Sequence, residues 1–203
     1  MKFLVNCQMI VKCFGLIFTF ASLSFAVPQK GTMTDSRDGR TYKTVQIGDQ
    51  IWTAENLKYV GGVCLNGKKK NCEKYGMLYS EEEAKKICPN GWHLPSAEEF
   101  ETLLSYVGSN AAKKLKAKKG WDENGSDQYG FAVLPGGAVG SGDGEEGNWF
   151  LGGATFFTST VDENNAYGPQ PFVLYFDEVD NNKVSIESMN GNVWGHSVRC
   201  LKD

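Results

Sequence analysis

Two histidines, six cysteines and a scatter of carboxylates are the residues of this chain that could do chemistry. His93 lies in "CPNGWHLPSAEEF" (Cys88 to Phe100) and His196 in "WGHSVRC". Imidazoles titrate near neutral pH and serve as bases or metal ligands. Each has a tryptophan close in sequence, Trp92 or Trp194, and packing with local hydrogen bonding is the expected role. An activated serine needs a nucleophile motif such as GxSxG, which the sequence lacks. Glycoside hydrolysis needs two carboxyl groups converging at roughly 5–10 Å. The candidates are Asp122, Glu123, Asp127, Asp143, Glu145, Glu146 and Asp162, and a hydrolase would require a pair of them to converge in the fold. "GDGEEGN", with Asp143, Glu145 and Glu146, offers oxygens that suit calcium but departs from the EF-hand loop, and it reads as a polar glycine loop. The surrounding stretch from Gly130 to Gly153 is dense in glycine yet holds no GxGxxG or GxxxxGK[ST] phosphate cradle. No catalytic residue, metal ligand or cofactor is therefore assigned.

The cysteines speak to compartment. Residues 1–26 combine Lys2 and Lys12 with an apolar run from Cys13 to Leu23 and a small-x-small end at Ser24-Phe25-Ala26. That is a signal peptide, too short for a membrane anchor. Cleavage leaves residues 27–203 as the mature chain, without a membrane span, and removes Cys7 and Cys13. Of 21 basic residues, 19 remain against 24 acidic ones, a net charge of −5. Such a chain has no electrostatic reason to bind nucleic acid. Four cysteines in an exported chain read as disulfides, with three possible connectivities. Cys64–Cys72 and Cys88–Cys200 are favoured: the first brackets the polar turn "LNGKKKN", and the second joins the middle to the end. Four zinc thiolates are the rival, but zinc sites come as close pairs such as CxxC.

The elements that must position these residues are legible in part. Tyr42, Val45, Ile47, Ile51 and Trp52 flank Gly48-Asp49, a hairpin signature. "SEEE" and "SAEE" open two helices with capping boxes, Ser80 with Glu83 and Ser96 with Glu99. In the second, Phe100, Leu103, Leu104 and Val107 form one apolar stripe. These roles account for the glutamates as caps, dipole partners and solvated face. "AAKKLKAKKGW" reads as a solvated basic face. "FAVLP", "ATFFTST", "PFVLYFDEV", "KVSIES" and "HSVRCL" read as strands. The layout is α+β: an N-terminal hairpin, two helices, then an antiparallel sheet with long glycine-rich loops. Residues 27–34 form a short leading segment and 35–203 one domain.

"DGRTYKTVQIGDQIWTAENL", "YGMLYSEEEAKKICPNGWHLPS", "GWDENGSDQYGFAVLPGG" and the closing "SVRC" closely resemble the Fibrobacter succinogenes major paralogous domain, over about Asp35 to Cys200. The resemblance implies export, names no activity, and implies a C-type lectin-like fold. In that fold a long disulfide ties the first helix to the last strand, as Cys88–Cys200 would, and Trp92 and Leu94 become core. Calcium-dependent sugar binding is not implied, because "GPQPF" lacks acidic or amide residues on both sides of its prolines. Nor is formylglycine-generating oxidase chemistry, because all four mature cysteines have structural places.

The expectation is a secreted, non-catalytic binding module. Trp149, Phe150 and Tyr167, with Asp162, would face a ligand from glycine-rich loops, where aromatic rings suit stacking on sugars or anchoring a protein. The partner would be a polysaccharide or a surface protein. A polysaccharide-active hydrolase and a cell-surface structural or adhesion component are the alternatives.

Overall fold

The computed structural model describes residues 28–140, 148–150, 153–188 and 193–203, with the backbone alone for 148–150. The leader, 1–26, and the acidic loop with Asp143, Glu145 and Glu146 lie outside the described residues. Strands β1 (Lys30–Thr34), β2 (Thr41–Ile47) and β3 (Gln50–Thr53) open the chain. A 3-10 turn (Leu65–Gly67) leads to helices α1 (Lys69–Tyr75) and α2 (Glu81–Ile87). Strand β4 (Trp92–His93) precedes helices α3 (Ala97–Val107) and α4 (Ala111–Leu115). The remainder is β5 (Ala138–Gly140), β6 (Asn148–Phe150), β7 (Ala154–Asp162), β8 (Gln170–Phe176), β9 (Val184–Ser188), β10 (Val193–Gly195) and β11 (Leu201–Lys202).

Three antiparallel sheets result, ordered β1-β2-β3-β11-β4, β10-β5-β6 and β7-β8-β9. The β2–β3 hairpin pairs Ile47 with Gln50 across Gly48-Asp49. Gly48 has φ +61°, the left-handed backbone that a two-residue hairpin loop needs at its first central position. Both capping boxes form: Ser80 with Glu83 and Ser96 with Glu99, each hydroxyl accepting the N3 amide while the glutamate accepts the cap's own. The α3 stripe buries Phe100, Leu103 and Val107, and the helix lies on β7, β8 and β9. Phe100 stacks on Trp52 at 5.0 Å, and Phe131 meets Trp52 edge-on at 5.8 Å. All three rings are fully enclosed, and truncating one such ring to alanine costs about 3–5 kcal/mol. A second cluster gathers Tyr42, Leu57, Tyr79, Ile87 and Val198 around Cys200.

Both favoured disulfides are present, Cys64–Cys72 and Cys88–Cys200. The α+β class holds, and among the described residues four helices replace the expected two. Strand β1 falls in the segment taken to precede the domain, yet it pairs with β2 from Lys30 opposite Val45 to Thr34 opposite Thr41. "FAVLP" makes a single bridge, Val133 to Lys116, in place of a strand. In "HSVRCL" only Leu201 joins the final ladder, while His196 and Ser197 bridge Tyr79 and Phe156. The largest correction concerns "AAKKLKAKKGW". Ala111, Ala112 and Leu115 are buried, and Lys116 is 0 % exposed. Its Nζ donates to the Asp177 carbonyl at 2.7 Å and lies 4.3 Å from the Trp121 ring centre. A turn 61 residues away supplies the acceptor, so no local pattern marks this lysine as internal.

Candidate functional site

A cavity of about 350 Å³ opens where β1 and β2, the segment after β3, the end of α1 and the loop 127–134 meet. That volume falls within the range of small-ligand sites. Arg199 lies at its floor, 1 % exposed, one residue before the disulfide at Cys200. Its Nε donates to Asn56 Oδ1 at 2.9 Å, Nη1 donates to the Phe131 carbonyl, and Nη2 to the Ala132 carbonyl at 3.3 Å. The guanidinium also covers the Phe131 ring, 4.3 Å from its centre. Among the described residues no carboxylate lies within ion-pair distance of it. Burial lowers its pKa to about 9, partly offset by the more distant Asp127 and Glu55, so it stays cationic at neutral pH.

Asn56 links this floor to its surroundings, because Nδ2 donates to the Tyr75 carbonyl at 2.8 Å and to Ser197 Oγ at 3.1 Å. Gly76 makes that approach possible. Its φ is +84°, and a Cβ there would sit 2.5 Å from Asn56 Cβ. The cavity wall bends sharply at two residues that are not glycine: Asp127 at φ +44° and Ala132 at φ +51°. Left-handed backbone at such residues costs on the order of 1 kcal/mol or more each. The Asp127 side chain accepts the Ala132 amide at 2.9 Å, and Arg199 holds the carbonyls of Phe131 and Ala132. The arginine thus fixes the wall of the site it underlies.

The rim is cationic. Lys30, Lys43, Lys58 and Lys74 line it beside two carboxylates, Glu55 and Asp127. Lys58 Nζ donates to the Glu73 carbonyl, and Lys74 covers the Tyr75 ring. Glu55 accepts the backbone amide of Lys43 at 2.8 Å. This site was not foreseen from sequence. Its one local signal is an arginine between Val198 and Cys200, a charge inside an apolar run.

The residues expected to bind ligand lie elsewhere and are not brought together with this cavity. Tyr167, in the β7–β8 connection, is 73 % exposed, and Asp162 ends β7 with its carboxylate accepting the Asn164 amide at 3.0 Å. Trp149 and Phe150 belong to β6, in a different sheet, opposite Val139 and Ala138. They occupy strand positions where loop positions were expected; their side chains are not among the described ones.

Neither histidine lines the cavity. His196 is enclosed, its pKa lowered to about 3 by burial, and it meets Phe157 edge-on at 4.6 Å. Its Nδ1 shares a 2.7 Å hydrogen bond with Thr155 Oγ1. His93 departs from the expected local role. It bridges Asp203 at 2.6 Å and Glu99 at 3.0 Å. Partial burial opposes its charge, but the two carboxylates outweigh that and raise its pKa. Among the described residues no three His, Cys, Asp or Glu side chains cluster to hold a metal, and no helix is long and apolar enough to cross a membrane.

These features define an α+β domain closed by two disulfides, with a basic cavity over a buried arginine. The chain belongs to the Fibrobacter succinogenes major domain family, whose model matches residues 45–202. No curated protein and no solved structure matches it.

Proposed function

We propose that this chain is an exported, non-catalytic binding module and that its ligand occupies the cavity over Arg199. The observation that carries the reading is the preorganised floor. Arg199 and Asn56 are joined by one hydrogen bond and held by four more to Tyr75, Ser197, Phe131 and Ala132, and a rigid site loses little entropy on binding. Two disulfides support export, since such bonds persist in oxidising compartments. A C-type lectin-like arrangement is part of the proposal. In its favour, Cys88 at the end of α2 is tied to Cys200 beside the last strand, and β2, β3 and β11 share one sheet.

The test is depletion of the oxidised protein by insoluble cellulose, xylan and bacterial cell wall. Retention on one of them, lost in Leu134→Trp, is the expected result. Leu134 is half-buried on the cavity wall, so a larger ring fills the space without entering the core. Retention on none of these surfaces, with no binding of soluble saccharides, overturns the reading.

One observation favours a second reading, a polysaccharide hydrolase: Glu55 and Asp127 line the same cavity. Each already spends an oxygen on a backbone amide, which suits an acceptor better than a proton donor. Release of reducing ends from the same polysaccharides, abolished by Glu55→Gln, would reverse the order of the two readings.

A further inference from the structure

We infer that the ligand of this cavity is an acidic saccharide, a sugar whose carboxylate meets the cationic rim and floor while its hydroxyls donate to Glu55 and Asp127. The inference rests on the cavity being the binding site and adds the chemistry of what binds there.

Charge comes first. Five cationic side chains line the cavity against two carboxylates, on a chain of net charge −3. This concentration of positive charge is therefore local. Glu55 and Asp127 relieve it only in part. Among the described residues Arg199 has no carboxylate within ion-pair distance, and an enclosed charge in that state is costly unless something neutralises it. Lys30 and Lys43 add to the strain. Lys30 stands opposite Val45 and Lys43 opposite Thr32, so the two lysines are a diagonal pair on adjacent strands. Like charges so placed repel. Among the described residues neither ammonium has an ion-pair partner. An anion between them and Arg199 removes both penalties at once.

The two carboxylates then select among anions. A phosphate group approaching Glu55 and Asp127 meets repulsion and offers few hydrogens in return. A sugar acid offers one carboxylate and several hydroxyl donors. Each of the two side chains has accepting capacity beyond the backbone amide it already holds. Thr44 and Asn56 add neutral polar groups to the same lining. A mixed lining of this kind matches a hydroxylated anion better than a bare one.

The test is calorimetric titration of the oxidised protein with a galacturonate oligosaccharide, the matching neutral galactose oligosaccharide, and inorganic phosphate. The galacturonate should bind, weaken steeply with added salt, and lose roughly tenfold in affinity in Lys30→Gln/Lys43→Gln, about one charge-assisted hydrogen bond. Both lysines are exposed, so the variant should fold and melt no lower than the parent. Equal binding of the neutral oligosaccharide, or equal binding of phosphate, overturns the inference. So does retention on cellulose, xylan or cell wall that ignores both salt and the double substitution, although that result leaves the binding-module reading in place. Absence of retention on every surface, with no binding of any of the three titrants, removes the module reading itself.

Discussion

Removing the Cys88–Cys200 bridge is the sharpest test of what holds this domain together. The two disulfides differ chiefly in the length of chain they close, 112 residues against 8 for Cys64–Cys72. Cross-linking reduces the entropy of the unfolded chain by an amount that grows with the logarithm of that length. The arithmetic gives about 4.8 kcal/mol for the long loop and about 2.5 kcal/mol for the short one. Each pair joins one buried cysteine, Cys200 or Cys72, to one half-buried partner, Cys88 or Cys64. The packing lost on substitution is therefore similar, and the difference isolates loop length. Cys88→Ala/Cys200→Ala and Cys64→Ala/Cys72→Ala should be melted in parallel by tryptophan fluorescence, for which Trp52 stacked on Phe100 is a core reporter. For a chain of this size the long-loop variant should lose about 10–20 °C and the short-loop variant about 5–10 °C. Equal losses in the two variants would refute the chain-entropy account.

Further predictions follow from side chains that the fold places inside or between elements. Lys116→Ala should destabilise by about 2–4 kcal/mol in urea denaturation, because it strands the Asp177 carbonyl that Lys116 Nζ serves. Lys116→Met should recover part of that by keeping the packed stem. His93 gives a pH dependence. Its folded pKa is raised above the ordinary 6.5, so the contribution is fully present below the unfolded value and is lost as pH rises through the folded one. The melting temperature of the parent should exceed that of His93→Gln at about pH 5.5, with the gap closing by about pH 8.5. A gap that does not change with pH would mean that the Glu99 and Asp203 contacts do not depend on the imidazolium.

Local signals carried the features whose partners lie within a few residues. The capping boxes at Ser80 and Ser96 each close over three residues, and the Phe100-Leu103-Val107 stripe repeats with the helical period. The Gly48 turn needs only its own φ and two flanking strands. Hydrogen bonds and packing over such distances are dictated by neighbours in sequence, so the spacing of residue types sufficed. The disulfide pairing was legible for another reason: four cysteines allow few combinations, and one pair brackets a polar turn.

The cavity was decided by tertiary structure alone. Arg199 gathers Asn56, Phe131 and Ala132, which lie 143, 68 and 67 residues away. Lys116 looked like surface because lysines usually are, yet it serves a turn at Asp177. His93 looked locally satisfied, yet it bridges α3 to Asp203. Trp149 looked like a loop residue because glycines surround it, yet pairing with Val139 puts it in a strand. In each case the sequence by itself determined the charge or shape of the side chain. Only closure of the chain decided whether a distant carbonyl, a carboxylate or a neighbouring strand would meet it, because the energy of a buried polar group depends on partners that no local pattern records.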